Sequence, residues 1–309
     1  MIPLETQHFT ADDGVKIFYD HTPRLKNSRA AILLVHGMAE HAGRYRALAD
    51  FLCRRGFVVY AIDQRGHGQT GRVQKALGFF AERGGWQRVV SDVGTLSQKI
   101  LADNPDLPLF ILGHSMGSVV VRSALIRFGH LYRGAVVVGT TLGISSAMRK
   151  TGKALAKAEA AAFGQRHPSA FLNLLAFGGY NRKFANPRTP FDWLSVNPDN
   201  VDAYIADPLC GFTCTAGFFY DLFDGIDFAS QPDNIDKMPK TLPILLISGG
   251  ADPVGGMGKE VLTLAHLMKQ RGLTRVYLTL YPGKRHEILN EDNRLEVYAE
   301  ILAFLEKFI

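Results

Sequence analysis

The sequence predicts an α/β fold: a mostly parallel central sheet, helices on both of its faces, and an inserted helical cap. Three observations carry that prediction. Short runs such as Ala31–Val35 and Phe57–Ile62 are apolar or aromatic at every position, as strands buried on both faces require. Longer segments between such runs place apolar residues at helical spacing. The alternation stops between about Leu142 and Met238 and then resumes.

Taken in order, Phe9–Tyr19 carries Asp13-Gly14 between two extended runs and reads as an N-terminal hairpin. Ala31–Val35 is a strand ending in His36-Gly37. Tyr45, Leu48 and Leu52 then recur at helical spacing until Gly56 stops that helix. Phe57–Ile62 is the next strand, and Trp86, Val89, Val90, Val93, Leu96 and Ile100 form a helical stripe ending near Pro105. Pro108–Leu112 reads as a strand, Met116–Phe128 as a helix and Ala135–Val138 as a strand. After the interruption come a strand at Ile244–Ile247, a helix containing Val261–Met268 and a last strand at Val276–Leu280. A terminal helix carries Tyr298, Ile301, Leu302, Leu305 and Phe308. The interruption itself holds an Ala/Lys-rich helix at Lys153–Phe163 and many aromatics, among them Phe177, Phe191, Trp193, Phe212 and Phe218, without a strand pattern. The expected organisation is a core of residues 1–141 and 239–309, with 142–238 as the cap.

Composition narrows the function. Apolar residues make up 47 % and charged residues 21 % of the 309, a globular balance and not a disordered one. The formal charge of +6 is not gathered into a Lys/Arg cluster, so no nucleic-acid partner is expected, while transient contact with lipid surfaces stays open. Three cysteines, Cys53, Cys210 and Cys214, are too few and too odd in number for a disulfide framework. No CxxC or Cys/His metal spacing occurs, and neither a metal nor an organic cofactor is expected. The stretch MIPLETQHFTADDG lacks the charged-then-apolar order of a signal peptide, and no apolar run reaches membrane-spanning length. A cytoplasmic location is the expectation.

Chemistry enters at LFILGHSMGSVVVRSA, Leu109 to Ala124. Gly113-His114-Ser115-Met116-Gly117 fits G-x-S-x-G with a strand before it and a helix after it, the context in which the serine occupies a strained turn and its Oγ stands clear of the sheet. A serine hydroxyl is a poor nucleophile unless an imidazole takes its proton and a carboxylate orients that imidazole. On an α/β-hydrolase sheet the chain order is serine, acid, histidine. Beyond the cap only His266 and His286 remain. His266 lies within a helical pattern, whereas His286 follows the last strand through Tyr281-Pro282-Gly283, at a strand's carboxyl end where catalytic side chains collect. The loop after Val138 has no carboxylate, but the strand Ile244–Ile247 runs into Ser248-Gly249-Gly250-Ala251-Asp252. The expected triad is Ser115, Asp252 and His286. The backbone N–H of Met116 and that of Met38, in the loop after Ala31–Val35, are the expected oxyanion donors.

These residues resemble the monoacylglycerol lipase and lysophospholipase branch of the serine α/β-hydrolases, over nearly the whole chain. His36–Tyr45 is similar to that branch's HGxxEHxxRY segment, and Asp63–Thr70 resembles its DxRGHGxS loop with threonine in place of serine. GHSMG, GGADPVG and GKRHEILNE complete the set in order. The resemblance implies an apolar-lined cap over the serine that accepts an acyl chain, with a small polar head group near the floor. It also implies that Arg44 either contacts a glycerol hydroxyl or, with Glu40 and His41, ties its loop together. Asp63, Arg65 and His67 read as loop bracing. The expected substrate is a small-molecule acyl ester or lipid, most simply a monoacylglycerol or lysophospholipid. Other expectations are a short-chain carboxylesterase, a serine aminopeptidase using Glu159, Asp192 or Asp207 for a free amine, or a hydrolase-fold protein that binds without turnover.

Overall fold

The computed structural model describes residues 2–143 and 146–309. Eight strands form one sheet: β1 (Glu5–Thr10), β2 (Lys16–His21), β3 (Ala30–Val35), β4 (Phe57–Ile62), β5 (Leu109–His114), β6 (Gly134–Val138), β7 (Ile244–Gly249) and β8 (Val276–Tyr281). Their spatial order is β1-β2-β4-β3-β5-β6-β7-β8. β2 pairs antiparallel with β1 and β4, and every other pair is parallel. The N-terminal hairpin is there, with Thr10 opposite Lys16 across a turn in which Gly14 takes φ +83°.

The period-2 alternation of a strand divides the core into two layers. Ala31, Leu33 and Val35 of β3 face the helices Gly85–Asp103, Met116–Phe128 and Lys259–Gln270. Ala30, Ile32 and Leu34 face Arg46–Cys53 and Arg294–Glu306 on the other side. Every residue of β3 to β7 is buried, which is why those runs carry no polar alternation.

Between β6 and β7 the described chain forms the helices Ser146–Phe163, Ala170–Phe177, Pro198–Ala206, Ala216–Ser230 and the short Pro232–Ile235. Three of them start on side-chain caps: Ser169 accepts from Leu172 N, Asn197 from Asp199 N ahead of Pro198, and Thr215 from Phe218 N. Gly225 brings the helix Ala216–Ser230 against the core, since a Cβ there would stand 2.0 Å from the Trp86 ring. The first of these helices begins earlier than the Ala/Lys run suggested.

One element escaped the sequence pattern. Gly68–Val73 is helical although it holds two glycines, because Asp63 accepts from the Gln69 N–H at 2.7 Å and Gly68 sits against that carboxylate. Tertiary contact overrides poor propensity there.

Candidate active site

The turn from β5 into the helix Met116–Phe128 holds Ser115 at φ +53° and ψ −121°, a conformation that L-residues avoid. Its flanking glycines are sterically required. A Cβ on Gly113 would lie 2.3 Å from the Gly117 carbonyl oxygen, and one on Gly117 would lie 2.2 Å from that of Val35. Strand and helix therefore close tightly around the serine.

Asp252 and His286 come from the loops after β7 and β8. Gly249 lets these loops meet, because a Cβ there would press within 2.1 Å of the Arg285 carbonyl oxygen. Asp252 is fully buried; its Oδ2 accepts from His286 Nδ1 at 2.9 Å and from Ser248 Oγ at 3.2 Å, and its Oδ1 from Val254 N at 2.8 Å. A carboxylate so placed keeps the proton on Nδ1 and leaves the Nε2 lone pair free. Ser115 and His286 both line one cavity of about 380 Å³. Among the described hydrogen bonds none joins them, an arrangement met in unliganded sites whose bonds tighten with substrate. Met38 also lines this cavity, and neither its N–H nor that of Met116 donates to a protein acceptor among the described bonds.

The cavity has an apolar wall, with Leu174, Phe177, Phe191, Trp193, Leu194 and Phe212 upon it, and a polar end at Glu40, His114 and Glu287. Glu40 accepts from Gly37 N at 2.5 Å, Tyr45 Oη at 2.8 Å and Arg44 at 3.0 Å. Both ring nitrogens of His114 meet acceptors, Glu40 Oε1 at 3.3 Å and the His286 carbonyl at 3.2 Å. Acceptors on both sides favour the protonated ring. Burial opposes that charge but Glu40 outweighs it, holding the His114 pKa above the ordinary histidine value. Burial likewise works against the Glu40 carboxylate, yet His114 and Arg44 keep it well below the usual range.

The chain matches the family model described as serine aminopeptidase, S33, over residues 26–293. It belongs to this family of serine α/β-hydrolases. It is 29 % identical over 301 residues to the monoacylglycerol lipase of Mycolicibacterium smegmatis, covering 96 % of this chain and 95 % of that one. It is 30 % identical over 291 residues to the human monoglyceride lipase, covering 92 % and 84 %. The crystal structure of a thermostable carboxyl esterase from Bacillus coagulans in complex with glycerol superposes with a TM-score of 0.91 at 29 % identity, over 100 % of this chain and 99 % of the other. The protein is a carboxylic ester hydrolase.

Of the two readings of Arg44, glycerol contact and loop tie, its contacts match the second. In this hydrolase its guanidinium is nearly buried, paired in a fork with both Glu287 oxygens, bonded to Glu40 at 3.0 Å and Asn200 at 3.1 Å, and stacked on Tyr204. It does not line the cavity. Its donors are spent on the loop, so the tying role is the one the geometry supports. The second loop braces as expected: Arg65 pairs with Asp13 and Asp92, and Thr70 Oγ1 donates to the Asp63 carbonyl at 2.7 Å while accepting from Phe18 N. Burial lowers the His67 pKa to about 3, so that ring stays neutral. His266 is exposed on the helix Lys259–Gln270.

Sequence reasoning missed Glu287, Asn200 and Trp193. Glu287 adjoins His286 in GKRHEILNE, but nothing in the sequence ties it to Arg44, 243 positions earlier. His41, Asp207 and Cys210 place possible metal-ligand atoms within 4.8 Å of one another. His41 Nδ1 accepts from Gly43 N, so Nε2–H donates to Asp207 at 2.8 Å, and burial pushes the Cys210 thiol up. In this structure the His41–Asp207 bond ties the two loops together.

Proposed function

We propose that the protein hydrolyses monoacylglycerols through an acyl-enzyme on Ser115. Ser115 Oγ attacks the ester carbonyl while His286 Nε2 takes its proton, and Asp252 stabilises the resulting imidazolium. The N–H groups of Met38 and Met116 receive the developing oxyanion; removing one such donor typically costs about 100- to 1,000-fold in turnover. His286 then protonates the leaving glycerol, and water, activated by the same ring, releases the fatty acid.

The observation that carries this reading is one cavity in which Ser115 and the His286–Asp252 pair meet an apolar wall at one side and a charge-balanced polar end at the other. Behind that end Arg44, itself off the cavity, pairs with both carboxylates, Glu40 and Glu287, and the His114 ring bonds Glu40. A neutral head group fits such a balance. A free amine would need an unspent carboxylate, and Glu159, Asp192 and Asp207 all lie off the cavity, engaged with Ser169, Thr189 and His41. This disfavours the aminopeptidase reading.

The segment 142–238 acts as the cap. Its exposed Phe163, Phe171, Leu174 and Leu175 suit transient contact with a lipid surface, and none of the described helices is long and apolar enough to cross a membrane. The protein works on lipid in the cytoplasm in this reading. The test is a matched panel of aryl esters of rising chain length, monoacylglycerol, lysophosphatidylcholine and a proline anilide. At about 0.8 kcal/mol per buried methylene, kcat/KM rises with acyl length to the limit of the cavity, and monoacylglycerol leads the natural substrates. A profile that peaks at acetate and collapses beyond butyrate points instead to a short-chain carboxylesterase.

A further inference from the structure

Trp193 belongs to the segment between β6 and β7, yet it packs on the proposed catalytic base. Its ring centroid lies 5.3 Å from that of His286, at 38°. The indole is itself held on two sides. Phe177 stacks parallel to it at 6.0 Å, and Tyr180 meets it edge-on at 5.0 Å. Only 9 % of Trp193 is exposed.

The backbone around Trp193 grips the histidine loop as well. Glu287 N donates to the Leu194 carbonyl at 2.7 Å, on the residue next to the base. Arg285 Nη1 donates to the carbonyls of Asp192 at 2.5 Å and Ser195 at 3.1 Å. Val196 N donates to Glu291 Oε1 at 3.0 Å, and Asn200 Nδ2 to Glu287 Oε2 at 2.6 Å. Asp192–Asn200 therefore contacts the loop 285–291 before, at and after His286. A segment serving only to cover the cavity has no need of these bonds.

We infer that Trp193 is a positioning residue for His286, and that Asp192–Asn200 is a clamp by which the cap holds the base in register with Ser115. Asp252 fixes one edge of the imidazole and cannot alone stop it rocking about that single hydrogen bond. The His114 ring, 4.7 Å away, and the indole face, 5.3 Å away, limit the rocking. Misplacement by about 1 Å is enough to cost about 100-fold in rate, so ring orientation, more than substrate affinity, is what the contact controls. The inference rests on His286 being the base.

The test compares Trp193→Phe, Trp193→Leu, Arg285→Ala and His286→Ala in the full chain. Each is assayed with a short aryl ester too small to need the apolar wall, and each is checked for folding by its thermal transition. The expected result for Trp193→Leu is a tenfold or greater loss of turnover with KM changed less than threefold, and Trp193→Phe recovers most of the loss. Arg285→Ala, at a half-buried site, lowers kcat several-fold with KM unchanged, so the inference stays testable even where Trp193→Leu does not fold. A change in KM or in acyl-length preference with kcat intact, in folded variants, overturns the clamp and leaves Trp193 as cavity wall. Should His286→Ala remain active, the assignment of the base has failed. If His286→Ala is dead while folded Trp193→Leu and Arg285→Ala keep full kcat, only the clamp has failed.

Discussion

Replacing Ser115 by glycine should leave the protein more stable than replacing it by alanine, the reverse of the order found at ordinary positions. Both variants lack the hydroxyl, so the comparison isolates the backbone. At φ +53° and ψ −121° the alanine variant keeps a Cβ in a region that costs about 1–3 kcal/mol. Glycine occupies it without that cost but gives up about 0.5–1 kcal/mol more entropy on folding. The balance favours glycine by about 1 kcal/mol. With an unfolding entropy of about 2.1 cal/mol/K per residue over 309 residues, that difference raises Tm by about 1.5 °C. Paired urea and thermal denaturation of the two variants reads it. If the glycine variant is the less stable by the usual margin, the strain at Ser115 is not real and its turn is not the cause of the glycine requirement beside it.

Three further outcomes follow from the packing. Burial pushes the Asp221 carboxyl up to about 7, where it accepts from the backbone N–H groups of Gly85 and Trp86. A folded-state pKa raised from 3.8 means the folded protein holds the proton more tightly, so this stabilisation is full below about pH 4 and disappears as pH climbs through about 7. The stability advantage of Asp221→Asn over wild type should therefore widen from pH 5 to pH 8, by about 1.4 kcal/mol per unit at most; a constant gap contradicts the assignment. Arg44→Met leaves Glu40 and Glu287 buried without their shared cation and should cost about 3–5 kcal/mol in denaturant titrations. Arg44→Lys should recover little of this, because an ammonium cannot reproduce the fork on Glu287. Gly225→Ala should destabilise by about 1–3 kcal/mol through its clash with the rigid Trp86 ring, and a neutral effect would mean that the helix Ala216–Ser230 can shift.

Much of this is legible in the sequence. The central strands could be read because each is buried on both faces and so carries unbroken apolar runs. The hairpin at Asp13-Gly14 and the helix opening at Met116 carry local signals of the same kind. Ser115 was recognisable because its turn admits glycine alone at Gly113 and Gly117, and that steric demand is written in the sequence. Chain order and position at strand ends single out His286 and Asp252, and the fold brings those two side chains into hydrogen-bond contact.

What stayed hidden depends on side chains meeting across the fold. Arg44 could be named but not given a role until the structure placed Glu287 and Asn200 on its guanidinium. His114 reads as a filler in G-x-S-x-G, and only the fold shows that its ring lies between Glu40 and the His286 carbonyl. Trp193 is one aromatic among many in a segment without periodicity, and its place against His286 is set by the arrangement of helices that no local pattern encodes. Local sterics and solvent exclusion leave a trace along the chain at every turn and strand. The charge balance of a buried pocket leaves none, because its terms are distances between residues far apart in sequence.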